Sequence, residues 1–467
     1  MSVSFQSADP ATGNIVWDGP AAGAADVDAA FVAARRAFAS WSKRPVSERI
    51  DIALRFKAIA AERKNEIGAL ISRETGKLLW DATGEAGVLA PKVDISIKAY
   101  EERTGRHDFD TDFGSARLRH RPHGVFAVLG PYNFPAHLPN GQIIPALIAG
   151  NTIVFKPSEQ TPATGAALVQ AYHDAGFPPG VVNIVQGARA TGEAVLAHGE
   201  LDGVLFTGSA KTGAMIHKQF GGRPEIVLAL EMGGNNPLIA WEAGDAAAAA
   251  SIIIPSAFIT TGQRCTCARR LIVPAGKAGD KLVEALADMT SKITLGSFDD
   301  DAFMGPLISA DIAGYVAKSA AELPGKIIVP GGIDTMRGGA FIRPQIVDVT
   351  GEQISDEEIF GPVLQIIRAE SFDGAIEIAN DTKFGLAAGL VSDDGSLWDQ
   401  FSRDIQAGVV NFNRPTTGAS GALPFGGPGA SGNHNPGAYY AADFCAWPMA
   451  SQISPALNPI ASKGISS

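Results

Sequence analysis

Between Val125 and Leu230 short apolar runs alternate with helix-length segments, and that alternation limits the chain to few architectures. Val125 to Leu129, Thr152 to Phe155, Val181 to Val185, Val204 to Phe206 and Ile226 to Leu230 each read as a buried-type strand. Helices over Gly165 to Ala175, on to His198, and from Lys211 to Phe220 fill the gaps. Strands separated by helices of this size predict a parallel, doubly wound sheet. Ligands bind such sheets outside the carboxyl ends of the strands. The unusual residues lie there: Gly130-Pro131-Tyr132-Asn133-Phe134-Pro135, Lys156-Pro157-Ser158-Glu159, Thr207-Gly208-Ser209, and Glu231-Met232-Gly233-Gly234-Asn235-Asn236-Pro237.

A second α/β unit starts after Asn236, with strands at Leu238 to Ala240, Leu271 to Val273 and Val409 to Asn413 and a helix over Lys281 to Ile293. Upstream, Asp26 reads as the cap of a helix carrying Val27, Phe31, Ala34, Phe38 and Trp41 on one face. Ser47 opens a longer helix to Gly76, and a third covers Ala86 to Tyr100. Residues 105–122 are polar, with a turn at Asp112-Phe113-Gly114-Ser115, and read either as a protruding hairpin or as a solvated loop. Pro424 to Gly432 is too rich in glycine for helix or strand and reads as a loop.

A chain of 467 residues with 46% hydrophobic and 19% charged residues fits a globular protein of about two or three domains. Its net charge of −11 disfavours nucleic acid or an acidic membrane as partner. Three cysteines make no disulfide framework and fit a reducing compartment. Met1 to Ala11 has neither a basic nor an apolar region of a signal peptide. The most apolar window, Ala246 to Ile259, is too short to span a bilayer. A cytoplasmic protein is expected.

That window leads into Thr260-Thr261-Gly262-Gln263-Arg264-Cys265-Thr266-Cys267-Ala268-Arg269-Arg270. A thiol attacks as thiolate, and nearby cations lower its pKa. The setting therefore predicts an activated Cys265 or Cys267, against the alternative of a small buried hydrophobe. A Cys-x-Cys metal pair is a third reading, but no His or Cys cluster nearby completes a zinc set, so no metal is expected.

Taken in order, Asn133 in Tyr-Asn-Phe-Pro, Glu231-Met232-Gly233-Gly234, Gly262-Gln263-Arg264-Cys265 and Glu358-Ile359-Phe360-Gly361-Pro362 resemble the NAD(P)-dependent aldehyde dehydrogenase superfamily over nearly the whole chain. The resemblance implies an α/β fold of two doubly wound parallel-sheet domains plus an oligomerisation hairpin and tail. Residues 1–104 and 123–233 would form the NAD-binding domain, 234–440 the catalytic domain, and 105–122 with 441–467 the arm and tail of a homodimer or homotetramer. It implies Cys265 as the nucleophile, Glu231 as the base that activates water, and Asn133 with the Cys265 N–H as donors to the oxyanion. It further implies that Gly208, Ser209, Ala210, Lys211, Thr212 and Gly213 lie beside a cofactor pyrophosphate, as a helix N-terminus favours. Lys156, Ser158 and Glu159 would meet the adenosine ribose, and Glu358 and Phe360 the nicotinamide side. An acidic Glu159 favours NAD over NADP by charge repulsion, a preference that Lys156 and Ser158 soften.

Several segments resemble the branch of that superfamily acting on N-succinylglutamate 5-semialdehyde in the succinyl-transfer route of arginine catabolism. They are Leu118 to Gly124, Asn133 to Gly141, Gln263 to Arg270, Ala430 to His434 and Tyr439 to Pro448. A substrate with two carboxylates requires local cations, and Arg264, Arg414, His137 and His434 are the candidates. Gly429 stands where the wider superfamily often has Lys, as in that branch. The family's opening strand ahead of Asp9-Pro10-Ala11-Thr12-Gly13 is expected to be missing. The alternatives are a dehydrogenase of another small acidic or aliphatic aldehyde, an acylating enzyme that passes the acyl group to coenzyme A, and a non-enzymatic protein of the same fold. Glu231 argues against the acylating enzyme, and the joint presence of Cys265, Glu231 and Asn133 against the last.

Overall fold

A computed structural model describes residues 4–457 and 463–464. Its first sheet has five parallel strands in the order Val182–Ile184, Thr152–Lys156, Val125–Leu129, Gly203–Gly208 and Val227–Met232. The chain leaves Val125–Leu129 toward one neighbour and returns on the other side to Gly203–Gly208. The strand order therefore reverses there, and a crevice opens at the carboxyl ends. The central strands are apolar throughout because helices cover both faces. Ile52, Phe56, Ile71, Leu89 and Val93 pack on one face, and Val27, Phe31, Val195 and Ile216 on the other.

The second sheet has seven strands in the order Lys326–Val329, Gln345–Asp348, Val363–Ala369, Ala268–Pro274, Asn236–Ala240, Ala387–Val391 and Val409–Phe412. All neighbouring pairs are parallel except the first, which is antiparallel. A third sheet joins the hairpin His107–Thr111 and Gly114–Pro122 to Ala446–Ile453, with Ala446 opposite Pro122 and Ile453 opposite Ser115. Residues 105–122 thus form a hairpin, and part of the 441–467 tail is its third strand. Residues 458–462 and 465–467 of that tail lie outside the described residues, as do Met1 to Val3.

Four local expectations need correction. The opening strand is present: Ser4–Ala8 pairs antiparallel with Ile15–Pro20. Asp26 is not the N-cap of Ala24–Trp41; it sits in the first turn and accepts the N–H of Gly23, the cap, at 2.9 Å. The helix expected from Ser47 to Gly76 is two helices, Val46–Glu62 and Lys64–Thr75, parted at Arg63. The one expected over 86–100 is Leu89–Arg103, preceded by Leu79–Gly87. No helix is long and apolar enough to cross a membrane among the described residues.

Candidate active site

The helix Ala246–Phe258 runs into a turn whose backbone is unusual. Thr260, Thr261 and Gly262 all have positive φ, at 54°, 55° and 71°. Left-handed backbone is a strained state for a β-branched residue. Side chains overdetermine it here. Thr260 Oγ1 donates to Asp81 at 2.6 Å, and Thr261 Oγ1 to the Gly305 carbonyl at 2.8 Å. Arg264 donates to Asp81 and to Thr260 Oγ1, both at 2.8 Å. At Gly262 a Cβ would lie 2.3 Å from the Gly361 carbonyl oxygen, so only glycine fits. The segment that follows is tied by Asn236, whose amide donates to the carbonyls of Cys265 and Cys267 at 2.7 and 2.8 Å.

The turn delivers Cys265 partly exposed and Cys267 fully buried. The flanking arginines do not activate the thiol as expected: Arg269 lowers the Cys265 pKa, but burial outweighs it. Arg264 is paired with Asp81, and Arg269 with Glu358 at 3.2 Å. Burial, followed by the nearby charges of Glu358 and Glu231, pushes the Cys265 thiol up to about 12. The resting sulfur is therefore a thiol and needs a base.

Asn133 enters from the end of Val125–Leu129. Its amide Nδ2 donates one proton to the Gln263 carbonyl at 2.9 Å, which leaves the second for another acceptor. Glu231 closes the strand Val227–Met232, and the glycine-rich loop covers that strand's outer edge. Met232 N–H bonds Ser431 O at 3.0 Å, Leu230 N–H bonds Asn433 Oδ1 at 2.8 Å, and Asn433 and Asn435 donate to the Leu228 carbonyl. The same loop presents Gly437 N–H to Glu231 Oε1 at 2.8 Å, while Oε2 is buried without a partner. Burial lifts this carboxyl to about 8. Glu231 and Cys265 thus lie close enough for charge on one to shift the other.

At the crevice of the first sheet, Gly208 ends its strand and Ser209 caps the helix Ala210–Gln219, accepting Thr212 N–H at 3.2 Å. A Cβ at Gly213 would lie 2.2 Å from Met232 Sδ, so glycine lets this helix approach the sheet. The N–H groups of Ala210 and Lys211 open the helix where a phosphate is favoured. Lys156 ends the strand Thr152–Lys156, across Val125–Leu129 from the strand of Gly208; it is buried and donates to the Pro157 carbonyl at 2.9 Å and to exposed Glu159 at 3.4 Å. Ser158 Oγ accepts Gln160 N–H. Glu358 reaches back over Gly233, where a Cβ would lie 1.9 Å from its Oε2. Phe360 lies edge-on to Tyr132 with Arg269 over its ring.

The four candidate substrate cations fare differently. Arg264 is neutralised by Asp81. His137 is held uncharged: burial, with Lys92 and Lys77 beside it, drops its pKa to about 4, so it supplies no cation. Arg414 and His434 are exposed. Asp81, Asn236 and Gly437 were given no role from sequence. Asp81 carried no signal, and Asn236 reads only as part of the segment between two strands, whereas it opens the strand Asn236–Ala240 beside the turn. Among the described residues no cluster of His, Cys, Asp or Glu is arranged to hold a metal.

A strained turn presents a thiol, a buried carboxyl lies close to it, and a helix N-terminus opens where the strand order reverses. The aldehyde dehydrogenase family profile matches residues 2–447, and the chain belongs to that family, whose members are oxidoreductases acting on aldehydes. It is 54% identical over 454 residues to N-succinylglutamate 5-semialdehyde dehydrogenase 2 of Caulobacter vibrioides, spanning 97% of this chain and 93% of that one. It is 55% identical over 460 residues to N-succinylglutamate 5-semialdehyde dehydrogenase of Burkholderia cenocepacia, spanning 97% and 94%. Similar solved structures include PnpE from Pseudomonas sp. WBC-3, with a TM-score of 0.92 at 30% identity over 99% of this chain and 96% of that one. Another is 1-pyrroline-5-carboxylate dehydrogenase from Thermus with bound NAD, with a TM-score of 0.91 at 29% identity over 97% and 90%.

Proposed function

We propose that this chain oxidises N-succinyl-L-glutamate 5-semialdehyde to N-succinyl-L-glutamate with NAD, as a cytoplasmic homo-oligomer. The observation that carries this reading is the 54–55% identity, over 97% of the chain, to proteins bearing that activity in their names. NAD bound in the Thermus relative supports the cofactor.

Cys265 adds through sulfur to the aldehyde carbon. Its thiol proton must leave, and Glu231 in its ionised form is the carboxylate nearby to take it. The free Asn133 amide proton and the Cys265 N–H stabilise the oxyanion. Such a donor is worth about 3–4 kcal/mol of barrier. The dinucleotide, when bound, supplies the acceptor for the hydride lost from the carbonyl carbon. Cys265 then holds the acyl group as a thioester; Glu231, once it has passed the thiol proton to solvent, draws a proton from the water that releases the acid and returns it to the departing sulfur. Glu231 serves both steps because its Oε2 is unpartnered while Oε1 is anchored.

Residues that would hold the dinucleotide fit it. Ala210 to Gly213 would offer a helix N-terminus to the pyrophosphate, Lys156, Ser158 and Glu159 would hold the ribose, and Glu358 and Phe360 the nicotinamide side. A carboxylate at Glu159 favours the 2′-hydroxyl of NAD over the 2′-phosphate of NADP. In this reading 1–104 and 123–233 form the cofactor domain and 234–440 the catalytic domain. The hairpin of 105–122 and the tail strand form the oligomer arm, where Phe109, Phe113 and Trp447 are 56%, 50% and 63% exposed.

The test is a steady-state assay over a panel of semialdehydes with both dinucleotides. The highest kcat/KM is expected for the N-succinylated substrate with NAD. A neutral aliphatic aldehyde or succinate semialdehyde exceeding it would replace the substrate.

A further inference from the structure

Lys92 is buried, at 3% exposure, on the helix Leu89–Arg103. Its ammonium donates to the Ala438 carbonyl at 2.9 Å. The other buried lysines have carboxylates: Lys77 meets Glu85 at 2.6 Å, and Lys156 meets Glu159 at 3.4 Å. Lys92 has none among the described residues. A buried charge without a counter-ion is unfavourable unless something pairs with it.

The surroundings link this cation to Glu231 through two adjacent residues. Gly437 N–H holds Glu231, and the next residue's carbonyl receives Lys92. His137 opens the helix His137–Ala149, four residues after Asn133, its ring 6.4 Å from Phe134, its Nδ1 buried without a partner, and close enough to Lys92 to feel its charge. The 420–438 loop covers the helix, since a Cβ at Gly421 would meet Ile95 at 3.3 Å. The charges around Phe134 otherwise cancel: Lys77 with Glu85, and Arg264 with Asp81. One positive charge remains, and it is on Lys92.

We infer that Lys92, with His137 beside it, is the anion subsite that reads a carboxylate of the substrate distant from its aldehyde. This rests on the proposed function and assigns its specificity to a residue outside the four cations suggested by the sequence. Burial lowers the ammonium to about 8, so it is charged at neutral pH and ready for an anion. Arriving carboxylate supplies the missing counter-charge, and a neutral aldehyde of equal length leaves it unpaired. The site thus selects for the anion and against its neutral analogue.

The test compares full-length wild type with Lys92→Met and Lys92→Arg, using N-succinyl-L-glutamate 5-semialdehyde, glutarate semialdehyde and hexanal, each with NAD. Lys92→Met is expected to raise KM for the carboxylated aldehydes about 10- to 100-fold more than for hexanal, and Lys92→Arg to recover most of that difference. Equal changes for charged and neutral aldehydes would overturn the inference and make Lys92 a support for Ala438 and Glu231. If wild type fails to favour the N-succinylated substrate, the proposed function falls, while the ratio of glutarate semialdehyde to hexanal still decides the role of Lys92. If Lys92→Met does not fold, a crystal structure of wild type with N-succinyl-L-glutamate decides: a carboxylate on Lys92 Nζ supports the subsite, and both carboxylates elsewhere overturn it.

Discussion

Glu231 Oε1 accepts the backbone N–H of Gly437 at 2.8 Å, across 206 residues of chain. One oxygen of a buried carboxyl is thereby fixed by the glycine-rich loop while the other stays free. The loop can do this because Asn433 and Asn435 bond it along the strand Val227–Met232, which would otherwise be an open edge.

The first prediction concerns pH. Burial raises the Glu231 carboxyl to about 8, so about one-tenth is ionised at pH 7. If the ionised form is the base, kcat rises nearly tenfold per unit below pH 8 and levels off above it. The folded state holds this proton more tightly than the unfolded one, whose carboxyl titrates near 4.5. Its contribution to stability is therefore lost as pH rises from about 4.5 toward 8. A pH–rate profile and denaturation midpoints at several pH values check both statements.

Replacing Glu231 by Gln removes the base and keeps the shape. Turnover is expected to fall by about 10²–10⁴-fold. NADH formation should slow from the first turnover onward, because the addition of Cys265 and the release of the acyl group both lose their base, read by stopped flow.

Asn133→Ala removes the amide offered to the oxyanion and the bond to the Gln263 carbonyl. The loss in kcat/KM is expected at about 10²–10³-fold, matching one oxyanion donor. Retained NAD affinity, measured by titration, separates this from loss of the cofactor site.

Asp81 holds two groups of the strained turn, Thr260 Oγ1 and the Arg264 guanidinium. Asp81→Ala leaves a largely buried arginine unpaired and should destabilise the protein by about 3–5 kcal/mol in chemical denaturation. Arg264→Gln should change KM for charged and neutral aldehydes alike, because its charge is already paired with Asp81.

Much of this site was legible because its parts sit at strand ends, and strand ends are marked by breaks in apolar runs. Asn133, Lys156, Gly208 and Glu231 all follow such breaks. The state of Cys265 was not legible. Arg264 and Arg269 flank it in sequence, yet their charges go to Asp81 and Glu358, at positions 183 and 89 residues away. Nearness along the chain said nothing about which carboxylate each would reach. The segment 294–408 was read least well. Its strands Gln345–Asp348 and Ala387–Val391 are short and flanked by irregular turns, so no period identified them. The strand Ser4–Ala8 was missed because Phe5 is its one large apolar residue, between polar neighbours.

The most direct measurement traps the acyl enzyme. Wild-type protein is mixed with N-succinyl-L-glutamate 5-semialdehyde and NAD, quenched in acid within the first turnover, digested, and its peptides weighed by mass spectrometry. The account predicts one N-succinylglutamyl group, bound through sulfur at Cys265. An adduct on Cys267, or NADH released with no acyl group on either cysteine, would contradict it.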